Sequence, residues 1–340
     1  MLVWLWRIGR AVIDPVLFGI ARILLMPSYP RPPRFRFGRC LILAGLLALA
    51  PIGTQAGEGQ SSGQGNAPDE VDSENLFGFT EGTDVGKKGE QDLIVDTIVR
   101  FSKRRAGPGA SGYAAAQPVI SYQYDPTDNL SIEPGLYFDT RDSRNIAGVP
   151  DKAFATFNGG SLEVKYQFFK RTDERPFSLS VQAEPQYARI TPVEGQGADV
   201  FSVDTRLMAD VRLVPDKLWA GFNLIYDPSV AHLKGSGEVD RTSTLTVSGT
   251  LMTQIAQGVF IGPEIRYFRA YDGSFLNRFL GRAGFAGPVL HYQVKEKAFL
   301  TLAYATQVFG HDRDPEFTDR AFYLNQAPRH AVRVRFGLVF

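Results

Sequence analysis

The stretch Asp92-Leu-Ile-Val-Asp-Thr-Ile-Val-Arg-Phe101 puts Leu93, Val95, Thr97, Val99 and Phe101 on one face and Asp92, Asp96 and Arg100 on the other. Its period is two rather than 3.6, which is the pattern of a β-strand whose two faces meet different surroundings. The chain ends in the same way, with Val332, Val334, Phe336, Leu338 and Phe340 alternating with Arg333 and Arg335. Between these ends lie ten more such segments, among them the faces Leu130/Ile132/Leu136/Phe138, Leu218/Ala220/Phe222/Leu224/Tyr226 and Ala298/Leu300/Leu302/Tyr304. The pattern therefore predicts twelve strands over residues 92–340. Their connections alternate in length. Short ones fall at 125–129, 170–176, 214–217, 256–258 and 295–297, and long ones near 103–112, 141–153, 191–199, 227–241, 269–283 and 310–328.

Composition narrows what such a chain can be. The 340 residues carry 37 Lys+Arg against 36 Asp+Glu, 1 Cys, 44% hydrophobic and 12% aromatic residues. This is too apolar for a disordered chain, too poor in cysteine for a disulfide scaffold and too balanced in charge for nucleic-acid binding by bulk basicity. A mean hydropathy of −0.13 argues against a bundle of membrane helices. Alternating strands that face lipid on one side average to such a value.

Upstream of the strands, Arg31, Arg34, Arg36 and Arg39 precede the apolar run that begins at Cys40, and small residues end it at Ala56. Basic region, apolar core and small-residue site have the order of a secretory signal, and the run is shorter than the roughly 20 residues of a spanning helix. Residues 1–56 are thus expected to be an N-terminal extension and signal peptide, with Met26 an alternative start. Cleavage would remove seven arginines, Asp14 and the single cysteine. Residues 57–91, rich in Gly, Ser and Gln and then acidic, have neither period and are expected to form a flexible periplasmic tail. Within it, residues 75–86 hold Leu76, Phe77 and Phe79, more aromatic than a linker needs, which leaves open that they tuck against or into the strand region.

With its closing Arg335-Phe-Gly-Leu-Val-Phe340, the region 92–340 resembles the bacterial outer-membrane β-barrel proteins. The resemblance implies an all-β, up-and-down antiparallel transmembrane barrel of about twelve strands, with short periplasmic turns, long extracellular loops and both termini periplasmic. It implies membrane lipid and lipopolysaccharide as surroundings, and Phe336, Leu338 and Phe340 as the signal read by the barrel-assembly machinery. Aromatic residues fit two interfacial girdles: Phe138, Tyr187, Tyr226 and Tyr267 toward the long loops, and Tyr122, Tyr166, Tyr292 and Phe336 toward the short turns. Five prolines, Pro118, Pro134, Pro185, Pro263 and Pro288, fall in the outward phase of strands, where a missing ladder donor needs an explanation.

Function would then lie on the inward face, which is polar and of both signs. Candidate lumen or constriction residues are Asp92, Asp96, Arg206, Asp210, Arg212, Glu264, Arg266, Arg333 and Arg335. Two readings apply. The guanidinium groups can line a solute path and hold carboxylates bidentately, or Arg333 and Arg335 can pair with Asp92 and Asp96 across the closing seam. The second is favoured because buried charges must be paired. The mixed signs argue against selection by a single-sign field. The leading functional expectation is a passive channel for small polar solutes; a non-conducting envelope or surface interaction barrel and a lipid hydrolase are the alternatives. For the hydrolase only His330 sits at a rim where it could meet a lipid ester, and no recognisable serine accompanies it. Asp312, Asp314, Glu316 and Asp319 cluster in the last loop without the Gly and terminal Glu of a calcium loop. No metal, cofactor or nucleic acid is expected, and the oligomeric state is left open.

Overall fold

A computed structural model describes residues 71–294, 297–314 and 321–340. The signal peptide, the alternative start and the first part of the tail lie outside these residues, as do Lys295, Glu316 and Asp319. Twelve antiparallel strands run in sequence: β1 Gln91–Phe101, β2 Gly112–Thr127, β3 Leu130–Arg144, β4 Lys152–Phe169, β5 Phe177–Ile190 and β6 Gly197–Val214. They continue with β7 Leu218–Leu233, β8 Val239–Ala256, β9 Val259–Asp272, β10 Arg278–Val294, β11 Ala298–Asp312 and β12 His330–Val339. Each pairs with its sequence neighbours, and β1 pairs with β12, so the sheet closes into a barrel of the outer-membrane type.

The expected alternation in connections is present except at 170–176, which is as long as 145–151 before it and longer than 191–196 after it, and the strands overrun the loops. Segments that read as long loops, such as 227–241, are mostly paired strand: β7 and β8 stay in register from Leu218↔Thr253 to His232↔Val239, leaving only 234–238 unpaired. Polar strand ends that project beyond an apolar band still satisfy their ladder bonds, so loss of hydrophobic alternation does not mark the end of pairing. One connection, 313–329 between β11 and β12, is long.

Outward residues of successive strands, including Leu93, Ile120, Leu136, Leu162, Leu251 and Ile265, are exposed. A continuous apolar band of this kind is suited to hydrocarbon rather than water. Aromatic pairs flank it: Tyr187 on Phe201, Phe138 on Phe157 and Tyr267 on Phe309 toward the long connections, and Tyr166 on Phe168 toward the short turns. Tyr226 donates to the Ser274 carbonyl at the first of these ends. Tyr122, Tyr292 and Phe336 lie at the second, where Phe340 donates its N–H to the Gln91 carbonyl at 2.8 Å.

The prolines are accommodated by a common device. Each keeps its register on one side of its strand and interrupts the ladder for two residues on the other. Pro118 faces Thr97 of β1, while β2–β3 pairing skips from Ala116↔Thr140 to Val119↔Tyr137. Pro263 and Pro288 face each other across β9–β10, while gaps open toward β8 and β11. A proline lacks only its own donor, so the break is confined to the side on which that N–H would have pointed.

The largest departure from the sequence reading concerns residues 71–86. They belong to the tail expected over 57–91, within which the sequence left open that 75–86 tuck against or into the strands, and they lie inside the barrel. Leu76 is 0% and Phe77 1% exposed, and both join Trp219, Met252, Phe260 and Val289 in the principal apolar cluster.

Candidate functional site: a lumen filled by its own N-terminal segment

The inserted segment is a loop whose two limbs meet near its base. The Ser73 N–H donates to Asp84 at 2.8 Å, and a Cβ on Gly82 would lie 1.8 Å from the Ser73 carbonyl oxygen, so only glycine lets the limbs come this close. The base is held near the short turns. Asp210 of β6 accepts from Ser73 Oγ at 2.7 Å, Thr83 N at 2.9 Å and Thr83 Oγ1 at 2.6 Å, and Arg171 from the β4–β5 turn bridges Asp210 and Asp84. Lys165 Nζ meets Glu74 Oε1 at 2.7 Å. The Thr301 hydroxyl donates to the Asn75 carbonyl at 2.7 Å and lies 2.8 Å from His291 Nδ1, so that histidine lies buried in the wall.

The tip makes both apolar and polar contacts. Phe77 packs so closely on β7 that a Cβ on Gly221 would lie 2.7 Å from its ring. Phe79 lies under Arg266, whose guanidinium carbon is 3.8 Å from the ring centre, within cation–π range. Glu264 accepts the Phe79 N–H at 2.8 Å and the Thr80 N–H at 3.3 Å. Asn223 reads the backbone of Glu81 from both sides, its Oδ1 accepting the N–H at 2.7 Å and its Nδ2 donating to the carbonyl at 2.9 Å.

The Glu81 carboxylate reaches three wall arginines. Oε1 lies 2.8 Å from Arg333 Nη1, 2.9 Å from Arg335 Nη2 and 3.1 Å from Arg206 Nη1, and Oε2 lies 2.7 Å from Arg335 Nη1. The remaining edges of these guanidinium groups are held by wall acids. Asp96 takes Arg333 Nη2 at 2.5 Å and Arg335 Nε at 3.3 Å, and Asp204 takes Arg206 Nε at 2.8 Å. The wall thus pairs three arginines with Asp96 and Asp204, and Glu81 adds one carboxylate that bonds all three guanidinium groups. Charged hydrogen bonds of this kind are strong and need full pairing when shielded from water.

Of the sequence candidates, Arg206, Arg333, Arg335 and Asp96 converge here. The expected seam pairing holds for Asp96, but Asp92 is not part of it: it is buried nearer the strand end, and its Oδ1 has no hydrogen-bond partner among the described residues. Register explains the difference, since Asp96 lies directly opposite Arg335 while Asp92 faces Val339. Asp210, Glu264 and Arg266 hold other parts of the segment. Arg212 sits apart, paired with Asp173 of the β4–β5 turn at 2.9 Å. Sequence reasoning missed Glu81, Asn223 and Arg171. The unusual aromatic content of residues 75–86 was the one available sign.

At the other end, residues 321–329 of the β11–β12 connection turn inward. Tyr323 and Ala327 are buried in the same apolar cluster as Phe77, and the Tyr323 N–H donates to Gln307 Oε1 of β11 at 2.5 Å. Beside Asp92 a cavity of about 20 Å³, lined by Asp72, Asn75, Gln293 and Phe299, is large enough for a single water. Phe275 in the β9–β10 connection is exposed, whereas Phe279 and Leu280 at the start of β10 meet Tyr271 edge-on and pack on the buried cluster, respectively. His330 stacks between Phe101 and Tyr304 and takes a 2.8 Å hydrogen bond with the Tyr304 hydroxyl. Among the described residues no group of three or more His, Cys, Asp or Glu is placed to hold a metal ion.

The chain belongs to a family of unknown function, DUF6662, whose model matches residues 69–340. The matched region therefore includes the lumenal segment along with the barrel. No curated protein matches the sequence. Among solved structures, the COG4313 outer membrane channel from Pseudomonas putida F1 is similar at a TM-score of 0.53, with 12% identity over 76% of this chain and 98% of that one. The translocator domain of the autotransporter NalP from Neisseria meningitidis aligns at a TM-score of 0.43, with 13% identity over 76% of this chain and 91% of that one. The NanC porin aligns at 0.41, with 13% identity over 73% and 98%.

Proposed function

We propose that this DUF6662 protein is a passive channel of the bacterial outer membrane for small polar solutes, closed in the described state by residues 71–86. The short turns and both termini of the chain then face the periplasm, the long connections face outward, and Phe336, Leu338 and Phe340 present the assembly signal. Lipid and lipopolysaccharide are its surroundings.

The observation that carries this reading is the chemistry of the wall under the segment. The wall is apolar around Leu76 and Phe77, where Trp219, Met252, Phe260 and Val289 pack, and polar along the rest of the segment. The polar part includes Ser180, Asn223, Ser248 and Thr301, buried groups that bond Thr83, Glu81, Thr80 and Asn75 of the segment and can bond to water in its absence. The segment is joined to β1 through Lys87, Lys88 and Gly89, which are exposed, so its removal breaks no strand ladder. The resemblance of fold to an outer membrane channel is consistent with this reading.

The test is conductance across a planar bilayer, comparing the full chain with a variant lacking residues 71–86. Stepwise openings in the deletion variant, with the full chain closed or seldom open, support the channel. Silence from a folded, heat-modifiable deletion variant refutes it. The burial of Tyr323 and Ala327 at the opposite end favours, in that event, a non-conducting barrel acting through its outer connections.

A further inference from the structure

We infer that Arg206, Arg333 and Arg335 form a binding site for a small carboxylate solute, and that Glu81 occupies it as a tethered stand-in. The inference rests on the channel reading, since it requires the segment to leave the lumen. Three features of the site support it.

The first is charge. With the segment removed, Asp96 stays paired with Arg333 and Arg335 and Asp204 with Arg206, while Glu133 and Glu163 act on Arg335 and Arg206 from farther along the wall. What loses its carboxylate partner is the set of charged N–H groups that now hold Glu81: Arg206 Nη1, Arg333 Nη1 and both Nη atoms of Arg335. That set matches one carboxylate, with both oxygens engaged by Arg335 and a second donor on each side of Oε1. The second is that the wall acids do not compete for these donors. Asp96 and Asp204 hold the Nε edges and the far Nη2 atoms of Arg333 and Arg206, which orients the free edges toward the lumen. The third is Asn223, which accepts from the N–H and donates to the carbonyl on either side of Glu81 Cα. A ligand with a carboxylate and neighbouring secondary amides would satisfy both sites as Glu81 does.

A purely structural ion pair would have the same distances, so the test must use a free ligand. N-acetyl-glutamate N-methylamide reproduces the Glu81 side chain and its flanking amides, and the corresponding glutamine compound removes only the charge. Calorimetric titration would be made on the detergent-solubilised variant lacking residues 71–86 and on the full wild-type chain. The expected result is one-to-one binding to the deletion variant, about tenfold or more tighter than to wild type, because a tethered competitor acts at an effective concentration of about millimolar or above. The glutamine compound should fail to bind, and adding Arg335→Gln should abolish the titration.

If the deletion variant does not fold, Glu81→Ala in the full chain serves instead. It vacates only the carboxylate position, and acetate should raise its Tm while leaving wild type unchanged. A folded variant that binds neither probe, or that binds the glutamine compound equally well, overturns the inference. The two readings fail separately: conductance without carboxylate binding removes the site and leaves the channel, whereas a silent deletion variant removes the channel whatever the titration shows.

Discussion

Replacing Gly221 with alanine tests the lumenal seat of the segment without altering the segment itself. Gly221 lies on β7, where an added Cβ would stand 2.7 Å from Phe77 Cε2 and 3.0 Å from Cδ2 and Cζ. Those distances are shorter than van der Waals contact. Phe77 is 1% exposed within the principal apolar cluster, so its ring cannot rotate away without displacing neighbours. Overpacking of this kind costs about 1–3 kcal/mol. The alanine is itself well tolerated in a strand, and the barrel ladder around Gly221 is unaffected, so the cost falls on the docked state of the segment alone. At about 1.4 kcal/mol per factor of ten, the ratio of docked to undocked segment should fall about 5-fold to 150-fold. Open probability in a planar bilayer reads that ratio, and so does the rate of protease cleavage within residues 71–86. Gly249→Ala is the matched control, since its Cβ meets only the Gly221 carbonyl oxygen at 3.7 Å, an ordinary contact. If Gly221→Ala is cleaved no faster than Gly249→Ala and opens no more often, the Phe77 seat does not hold the segment and the steric reasoning is wrong.

Three further outcomes are expected. Glu264→Gln keeps an acceptor for the Phe79 and Thr80 N–H groups but removes the charge, which should weaken docking by about 1 kcal/mol and raise protease access several-fold; unchanged cleavage would count against the role of that carboxylate. Lys103, in the β1–β2 connection, is buried with no hydrogen-bond partner for Nζ among the described residues, and burial pushes its amine down to about 8, with Glu194 opposing and Arg141 adding to the shift. A folded pKa below the unfolded value of about 10.4 means that protonation opposes folding, so stability should rise as pH increases from about 8 toward 10.4. Lys103→Met should lose that rise, and parallel Tm curves for the two proteins would contradict the assignment. Deleting Phe340, which is 72% exposed and contributes one backbone bond to Gln91, should leave the Tm of refolded protein nearly unchanged while reducing the folded, heat-modifiable fraction in cell envelopes. Equal folded fractions would remove the assembly role given to that terminus.

The barrel is legible in the sequence because its signal is local. A strand with lipid on one side and a polar interior on the other must alternate at every second residue, and twelve such runs with alternating connections can be read one at a time. The same locality sets the limits of that reading. Asp92 and Asp96 share one face of β1, and only the register with β12, which places Asp96 against Arg335, separates the paired carboxylate from the other. The prolines look like defects in single strands and are resolved only by seeing both neighbours of each strand, one ladder kept and the other interrupted. Strand ends beyond the apolar band read as loops because hydrogen bonding continues where alternation stops.

Local pattern was enough for the class of the molecule: a closed, up-and-down barrel with an outward apolar band, short turns at one end and charges of both signs within. That residues 71–86 fill the interior, and that Glu81 completes a three-arginine cluster, emerged only from the folded arrangement. An irregular segment has no period to read, and its bonds are formed with partners far away in the chain. Glu81 meets Arg206, Arg333 and Arg335 only after the sheet has closed and brought β6 and β12 around the same space. Its charge has meaning only there, as one carboxylate bonded by three guanidinium groups that distant strands supply.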